Sequence, residues 1–190
     1  TGICFRFPYP TGAHCDDACN WEAVDKHTTT IVTQNESSAV LKHTLDSTEY
    51  FVTLYWEGKA TFNEKAKHYF VLTPMDDHLA FTCAFTSTAP STQPVTVAQT
   101  QEEAKNYWNS FWKEGAAVDF SACTDPRAKE LERRVVLSQY LLAIQSAGTI
   151  PPQETGLTYN SWFGKFHLEM IWWHEAQFAL WNRSRSEERR

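Results

Sequence analysis

Residues 49–58 read EYFVTLYWEG, and this stretch gives the clearest indication of the fold. Most of its residues are β-branched or aromatic, the types enriched in strands, and Gly58 ends the run with a turn signal. Apolar side chains fall on both alternating phases of the stretch. A strand with one face in water would be apolar on one phase only, so this pattern predicts a strand that is covered on both faces.

Further strand-like runs lie on both sides of this stretch. Between residues 27 and 97 the hydrophobic period is two, and turn residues such as Asp46-Ser47 and Glu57-Gly58 separate the runs. Connections this short join antiparallel neighbours, so the region is predicted to form the hairpins of a β-sandwich or of part of one. The other runs are TTTIVTQ, AVLKHTL, HYFVLT, HLAFTCAFT and PVTVAQ, whereas residues 1–25 are predicted to be irregular.

The hydrophobic period changes from two to 3.6 near Gln99, which predicts helices in the rest of the chain. The first helix is expected to begin with a capping box of Thr100 and Glu103 and to end at Gly115. A second helix is predicted over residues 125–148. Its apolar positions cover more than half of its circumference, so we expect it to be packed on several sides.

A third helix is predicted over about residues 161–181. Strands therefore come first along the chain and helices afterwards, which is the order of the α+β class. We expect two parts, a partial antiparallel β-sandwich at residues 1–98 and a helical portion at residues 99–190.

Composition excludes several classes of partner. The formal net charge is −6, so the chain has no basic excess and nucleic acid is not expected as a partner. No apolar run approaches the ~20 residues that cross a bilayer, so no membrane partner is expected either. Five cysteines leave at least one thiol unpaired within the chain. Sequons at Asn35 and Asn182 would permit glycosylation of a secreted protein, so the compartment stays open with secretion as one option.

Residues 151–181, here called the tryptophan segment, concentrate the residues that carry chemistry. The segment reads PPQETGLTYNSWFGKFHLEMIWWHEAQFALW and holds four of the chain's eight tryptophans, together with carboxylates and imidazoles. Ionisable groups are rarely buried without a partner or a task, so we expect the segment to form the floor of a pocket for a polar ligand. The candidate ligand-binding residues are Asn160, Trp162, Lys165, His167, Glu169, Trp172, Trp173 and His174.

The arrangement of these residues on a helix suits a sugar. Glu169 would share a face with Trp172 and Trp173, which follow it by three and four positions, and His167 would share another stripe with His174. An indole face packs on the C–H face of a sugar ring, while carboxylate and imidazole groups bind the hydroxyls. A plainer interpretation is a buried helix whose polar side chains bond to nearby backbone, and the pattern leaves both open.

Metal-binding and nucleophilic sites find less support in the sequence. His167, Glu169 and His174 lack the H-E-x-x-H spacing that places two imidazoles one helical turn apart. The loop His14-Cys15-Asp16-Asp17-Ala18-Cys19 also holds ligand types, but a single Cys-x-x-x-Cys pair favours a turn or a disulfide over zinc. Neither a G-x-S-x-G elbow nor a Walker-type phosphate loop is present. We therefore predict no metal and no cofactor.

The stretch TGLTYNSWFGKFHLEMIWWHEAQFALWNR resembles a segment of six-hairpin glycosidases of the glycoside hydrolase family 65 type. The resemblance implies an N-terminal antiparallel β-sandwich that leads through a helical linker into an (α/α)6 barrel. Residues 1–98 would then be the late part of the sandwich. Residues 99–148 would be the linker and first barrel helix, and the tryptophan segment would reach the sugar pocket.

The resemblance also implies roles for individual residues. In these enzymes the corresponding loop carries a Gly-His-x-Phe-Trp-Asp type motif whose acidic residue contacts the sugar. Gly164-Lys165-Phe166-His167-Leu168-Glu169 stands in that place, without being identical to it. Glu169 is therefore the candidate for the acidic contact, with Lys165 and His167 beside it.

The catalytic carboxylate pair is not expected within this chain. Twelve barrel helices need about 140 residues before loops, whereas residues 99–190 accommodate about three helices. The family's general acid lies further along the barrel, and inverting glycosidases need two carboxylates across the bond. We therefore expect a fragment, completed by the remainder of the barrel or by a partner chain.

Three hypotheses about function follow. The first is part of a glycoside hydrolase that acts on glycosidic bonds of oligosaccharides. The second is a non-catalytic carbohydrate-binding or interaction module. A third, a metal-dependent enzyme that uses His167 and His174, is the least supported by the spacing.

Overall fold

The computed structural model describes residues 2–91, 95–148 and 150–183. The chain divides into two compact units, of which the first comprises Thr1–Thr11 and Cys19–Ala104 and the second comprises Gly12–Ala18 and Lys105–Arg190. Antiparallel sheets precede helices along the chain, so the predicted α+β class is confirmed. The boundary expected after residue 98 falls inside the first unit, and the loop 12–18 belongs to the second.

The first unit contains the strands. Two antiparallel sheets, with strand orders β4-β5-β6-β9 and β1-β8-β7, are accompanied by a short β2-β3 pair. The described residues form nine strands, which are β1 (Ile3–Arg6), β2 (Tyr9–Pro10), β3 (Cys19–Asn20), β4 (His27–Gln34), β5 (Ser38–Leu45), β6 (Thr48–Glu57), β7 (Ala60–Ala66), β8 (Tyr69–Pro74) and β9 (Ala80–Thr86).

Strand β6 lies between two neighbours in the larger sheet, and its middle is fully covered. Val52 and Leu54 are 0% exposed on one phase, and Thr53 on the other phase is only 5% exposed. The doubled apolar phase of EYFVTLYWEG thus predicted this strand correctly. Side chains of both sheets share one core, whose buried members are Phe7, Ala39, Leu41, Val52, Leu54, Trp56, Phe62, Phe70 and Leu72.

The sequence predicted an irregular start of the chain, but the structure has strands there. Residues Ile3–Arg6 form β1, which pairs antiparallel with β8 and places Phe5 opposite Phe70. Phe7, which follows β1, is buried in the shared core. The apolar alternation of FRF is too short to indicate a strand by itself, so only the tertiary pairing determines its conformation.

Helix α1 (Val97–Glu114) begins one turn earlier than predicted. The capping box consists of Thr96 and Gln99: the Gln99 N–H donates to Thr96 Oγ1 at 3.2 Å, and the Thr96 N–H donates to Gln99 Oε1 at 2.9 Å. The predicted box of Thr100 and Glu103 is therefore wrong, because Thr100 is already helical and its hydroxyl donates to the Thr96 carbonyl. The described part of the last strand-like run PVTVAQ, residues 95–99, is the entry to this helix and not a strand.

Helix α2 (Ala128–Gln145) is less enclosed than its sequence predicts. Ala143 is buried with Phe111 and Phe178 in the core of the second unit. Leu131 and Leu141, however, are 52% and 41% exposed. The expectation of packing on several sides is thus wrong for the described chain, because only one face of the helix is buried.

The predicted third helix is broken into three short pieces. A single 3₁₀ turn covers Trp162–Gly164, and two short helices follow, α3 (Met170–His174) and α4 (Ala176–Leu180). The backbone is left-handed at Trp162, Phe163 and Gly164, with φ values of 49°, 60° and 64°, which a right-handed helix cannot include. Among the described helices, none combines the length and apolarity required to cross a membrane.

Candidate functional site

The structure places the predicted ligand-binding residues at the surface of the second unit rather than in an enclosed pocket. Trp162, Trp172 and Trp173 are 46%, 72% and 68% exposed. Lys165 and Glu169 are exposed as well, while Asn160, His167 and His174 are half-buried. The expectation that these tryptophans are buried on one long helix is wrong, because the helix is interrupted and its core contact is made by Phe178, which is 0% exposed.

Part of the predicted set is brought together around one turn, which we call the Trp162 turn (residues 160–167). The ring of His167 lies 5.5 Å from that of Trp162, measured between centroids. On another side, the ring of His14 lies 4.4 Å from the same indole in an edge-on contact. The structure therefore joins two predicted residues and adds His14, whose participation the sequence did not indicate.

Hydrogen bonds of backbone and side-chain groups fix the loop 12–18 against the Trp162 turn. The Phe163 N–H donates to the His14 carbonyl at 2.9 Å, and Asn160 Nδ2 donates to the Ala13 carbonyl at 3.3 Å. The Tyr159 hydroxyl also donates to Asp16 Oδ1 at 3.1 Å. Asn160 therefore has a structural bond, whereas the rings of Trp162, Phe163 and Phe166 are exposed.

Left-handed backbone at bulky residues gives the Trp162 turn a strained conformation. Trp162 and Phe163 both have positive φ, which is rare for large side chains. Such residues cost roughly 1–3 kcal/mol each and concentrate at ligand-binding and active sites. Lys165 Nζ lies 5.7 Å from the Phe163 ring centroid, so an ammonium group stands beside the two exposed rings.

Helix α3 carries the other predicted residues. Glu169 occupies its N-cap position, and Trp172 and Trp173 follow within the next turn. The shared face of this carboxylate and the two indoles stays a prediction. The predicted stripe of His167 and His174 is not formed, since His167 precedes the helix and His174 is its last residue.

An open groove of about 890 Å³ lies elsewhere in the second unit. It is formed by α2 and the end of α1, and its aromatic members are Trp112 and Tyr140. Charged groups such as Lys129 and Arg133 also line it. None of its lining residues comes from the tryptophan segment, so the described groove is separate from the predicted site.

The cysteines carry no disulfide. Cys4, Cys15, Cys83 and Cys123 are free thiols. The Cys15 Sγ lies 3.5 Å from His14 Nδ1, within the loop 12–18. The disulfide that the Cys-x-x-x-Cys spacing allowed is therefore not formed, and the turn interpretation remains.

The first unit contains a buried group that the sequence analysis missed, the histidine cluster of His27, His43 and His68. These residues are 6%, 0% and 7% exposed, and one nitrogen of each ring lies within 4.8 Å of the others. Strand register explains part of this arrangement. Thr29 on β4 pairs with His43 on β5, and His27 lies two residues before Thr29 on the same strand. The three residues come from separate elements without a ligand-spacing motif, so no local pattern indicated them.

Burial lowers the pKa of two of these imidazoles, His27 and His43. The pKa of His43 falls to about 4, because desolvation and the neighbouring His27 and His68 disfavour its charged form. The pKa of His27 is also lowered, first by burial and then by the charge of His68. Neutral imidazole is the form that binds transition-metal ions.

No family model matches this sequence, and comparisons with curated proteins and with solved structures gave no match either.

Proposed function

We propose that this chain is a carbohydrate-active protein, part of a glycoside hydrolase of oligosaccharides, and that its second unit binds sugar through the exposed tryptophans. The observation that carries the proposal is the exposure of Trp162, Trp172 and Trp173 within a dozen residues of one another. Large indole faces are usually hidden, and a group of them in water marks an interaction surface.

Polar groups beside the indoles supply partners for hydroxyls. Glu169 offers an exposed carboxylate immediately before Trp172 and Trp173. In the Trp162 turn, His167 contacts Trp162 and Lys165 lies near the Phe163 ring. Apolar faces alternating with charged donors and acceptors match the two kinds of surface that a pyranose ring presents.

A second candidate function, the non-catalytic carbohydrate-binding or interaction module, is favoured by the openness of the site. Hydrolysis requires two carboxylates placed across the glycosidic bond, whereas the described tryptophans form an exposed surface rather than an enclosed cleft, with Glu169 immediately before Trp172 and Trp173. The exposed apolar side chains of α2, such as Leu131 and Leu141, fit further barrel helices or a partner chain. This proposal therefore assigns sugar binding, rather than acid–base chemistry, to the residues named here.

Calorimetric titration with a panel of α- and β-linked disaccharides tests the proposal. We expect Trp172→Ala to weaken sugar binding about tenfold, which corresponds to about 1.4 kcal/mol. Because Trp172 is 72% exposed, the unfolding temperature should stay near that of the parent. The matched control is Leu180→Ala, which removes a side chain that is 85% exposed and not aromatic. Absence of binding heat with every sugar, or equal weakening in both variants, would reject the proposal.

Product analysis in the same titration separates the two candidate functions. Release of monosaccharide during incubation favours a hydrolase, whereas binding heat without any product favours the module. Glu169→Gln is expected to reduce affinity in both cases, because a charge-assisted hydrogen bond contributes roughly 1.5–3 kcal/mol.

A further inference from the structure

The histidine cluster has an arrangement that an ordinary polar core does not require. The rings of His27 and His68 stack with centroids 3.7 Å apart, and the ring of His43 stands 5.1 Å from that of His27. His68 also has positive φ, at 60°. Backbone strain at a bulky residue persists only where the surroundings enforce it, and it is concentrated at functional positions.

Hydrogen bonds determine which nitrogens of the cluster carry protons. His68 Nε2 lies 2.8 Å from the Val24 carbonyl, which only accepts, so this nitrogen carries a hydrogen. In a neutral ring, His68 Nδ1 is then an acceptor, and it receives the Thr29 hydroxyl across 2.9 Å. Thr29 has no second hydrogen to give, so His43 Nδ1, 2.7 Å away, must donate to Thr29 Oγ1.

This chain of bonds leaves a bare lone pair on His43. Its Nε2 is the acceptor nitrogen, it is inaccessible to solvent, and no hydrogen-bond donor reaches it. His27 Nδ1 is likewise buried without a hydrogen-bond partner. An unsatisfied buried polar atom costs about 1–3 kcal/mol, and here two such atoms belong to one cluster.

We propose that His27, His43 and His68 form a binding site for a divalent transition-metal ion, and that Zn²⁺ is the ion it takes. His43 Nε2 and His27 Nδ1 supply two of the ligands. The third is His68 Nδ1, which exchanges its hydrogen bond with Thr29 for the metal. This site lies in the first unit and is independent of the sugar-binding proposal.

The surroundings of the cluster match those of metal-bound imidazoles. A ligating histidine generally donates its other ring hydrogen to a carbonyl or another acceptor, which fixes the ring. His68 Nε2 does so to Val24, and His43 Nδ1 does so to Thr29. Nitrogens bound to zinc at about 2.0–2.1 Å stand about 3.3 Å apart in a tetrahedral site. Binding therefore requires the ligand nitrogens, which lie within 4.8 Å of one another, to move closer and the stacked rings of His27 and His68 to rotate so that their lone pairs converge on the ion.

Ligand type and charge narrow the choice of ion. Three neutral imidazoles without a thiolate suit Zn²⁺, Cu²⁺ or Ni²⁺ and do not suit Mg²⁺ or Ca²⁺.

Metal titration of the full chain tests this site. The protein is unfolded in urea with a chelator and refolded with or without Zn²⁺, which gives access to the buried rings. We expect one tightly bound Zn²⁺ per chain and a higher unfolding temperature with the metal, since an ion that binds only the folded state stabilises it. Cobalt(II) in place of zinc should give the intense visible absorption of a four-coordinate site.

Two measurements locate the ion. In the parent protein, NMR of the imidazole nitrogens should show shifts for His27, His43 and His68 on Zn²⁺ addition, with His78 unchanged. His27→Gln should weaken binding more than about 100-fold, because even the outer partners of metal ligands are worth 10–100-fold.

Other potential ligands serve as controls. The double variants Cys15→Ser with Cys19→Ser, and His167→Gln with His174→Gln, should keep the stoichiometry and affinity. The site would be disproved by a refolded parent protein that retains no zinc, or by loss of binding in a control variant instead of His27→Gln. The NMR measurement needs no variant, so it decides the question even where His27→Gln fails to fold.

Discussion

Individual buried residues make the first unit sensitive to acid. His43 is 0% exposed, and its pKa of about 4 lies below the ordinary value of 6.5. The unfolded chain therefore takes up a proton at higher pH than the folded protein does. The stabilisation is fully present above pH 6.5 and is lost as the pH falls from 6.5 through about 4.

Urea denaturation in the presence of a chelator measures this effect. Between pH 7.5 and pH 5.0 we expect the free energy of unfolding to fall by about 2 kcal/mol on account of His43 alone. His43→Gln should flatten the pH dependence by that amount. His78→Gln, which replaces an exposed histidine, should leave it as in the parent, and an equal slope in all three proteins would contradict the expectation.

Two glycines of the second unit separate the effects of backbone angle and of contact. Gly156 has φ of +73°, and an added Cβ would lie 2.9 Å from Gln145 Cβ; Gly12 has φ of +69° with nothing within 4 Å. Gly12→Ala should therefore cost only the left-handed conformation, about 1–2 kcal/mol. Gly156→Ala should cost about 1–3 kcal/mol more because it also overpacks the site. Equal free energies of unfolding in urea for the two variants would show that Gln145 moves aside freely.

At the scale of elements, the sequence predicted a strand or helix correctly where the hydrophobic pattern that indicates it lies within the element itself. Strand β6 and helices α1 and α2 were found because their hydrophobic periods extend over ten or more residues. The prediction of a continuous third helix was wrong because hydrophobic periodicity contains no information on the sign of φ at Trp162 and Phe163. The capping box was predicted at the wrong residues for a different reason. The pattern T-x-x-Q at residues 96–99 precedes T-x-x-E at residues 100–103, but the β-branched residues of PVTV indicated a strand where the first pattern stands.

The cap of α1 can be tested directly. Thr96→Ala should lower the free energy of unfolding by about 1 kcal/mol, the usual effect of losing an N-cap side chain. Thr100→Ala should have less effect, because the Thr100 hydroxyl only returns a bond to the Thr96 carbonyl. A larger loss from Thr100→Ala, measured by urea denaturation, would favour the capping box that the sequence had indicated.

For the whole molecule, contacts between distant parts of the chain were beyond sequence reasoning. Trp162 and His167, both named as candidate ligand-binding residues, are in contact within one turn, and Lys165 of the same turn lies near the Phe163 ring. The contact with His14 joins residues almost 150 positions apart, and no local pattern encodes it. The histidine cluster was not predicted for the same reason, since strand register and a loop bring its members together.

The contribution of His14 to the Trp162 turn is open to measurement. His14→Ala removes the ring that packs on Trp162 and Phe163, while the backbone bond between Phe163 and residue 14 can still form. We expect the Phe163 amide to exchange its hydrogen about tenfold faster, which corresponds to about 1.4 kcal/mol of local stability. His78→Ala, at an exposed position, should not alter this exchange. Unchanged exchange in His14→Ala would mean that the backbone alone holds the turn.

The position of the loop 12–18 also bears on how the protein is made. Asp16 and its partner Tyr159 are separated by 143 positions. At roughly 5–20 residues per second, a ribosome needs about 7–30 s to synthesise the chain between them. The described strands, the last of which ends at Thr86, can assemble within that interval, but residues 12–18 still lack the surface on which they will rest. A translational pause before residue 159 would therefore prolong the time that this loop spends without its partner residues.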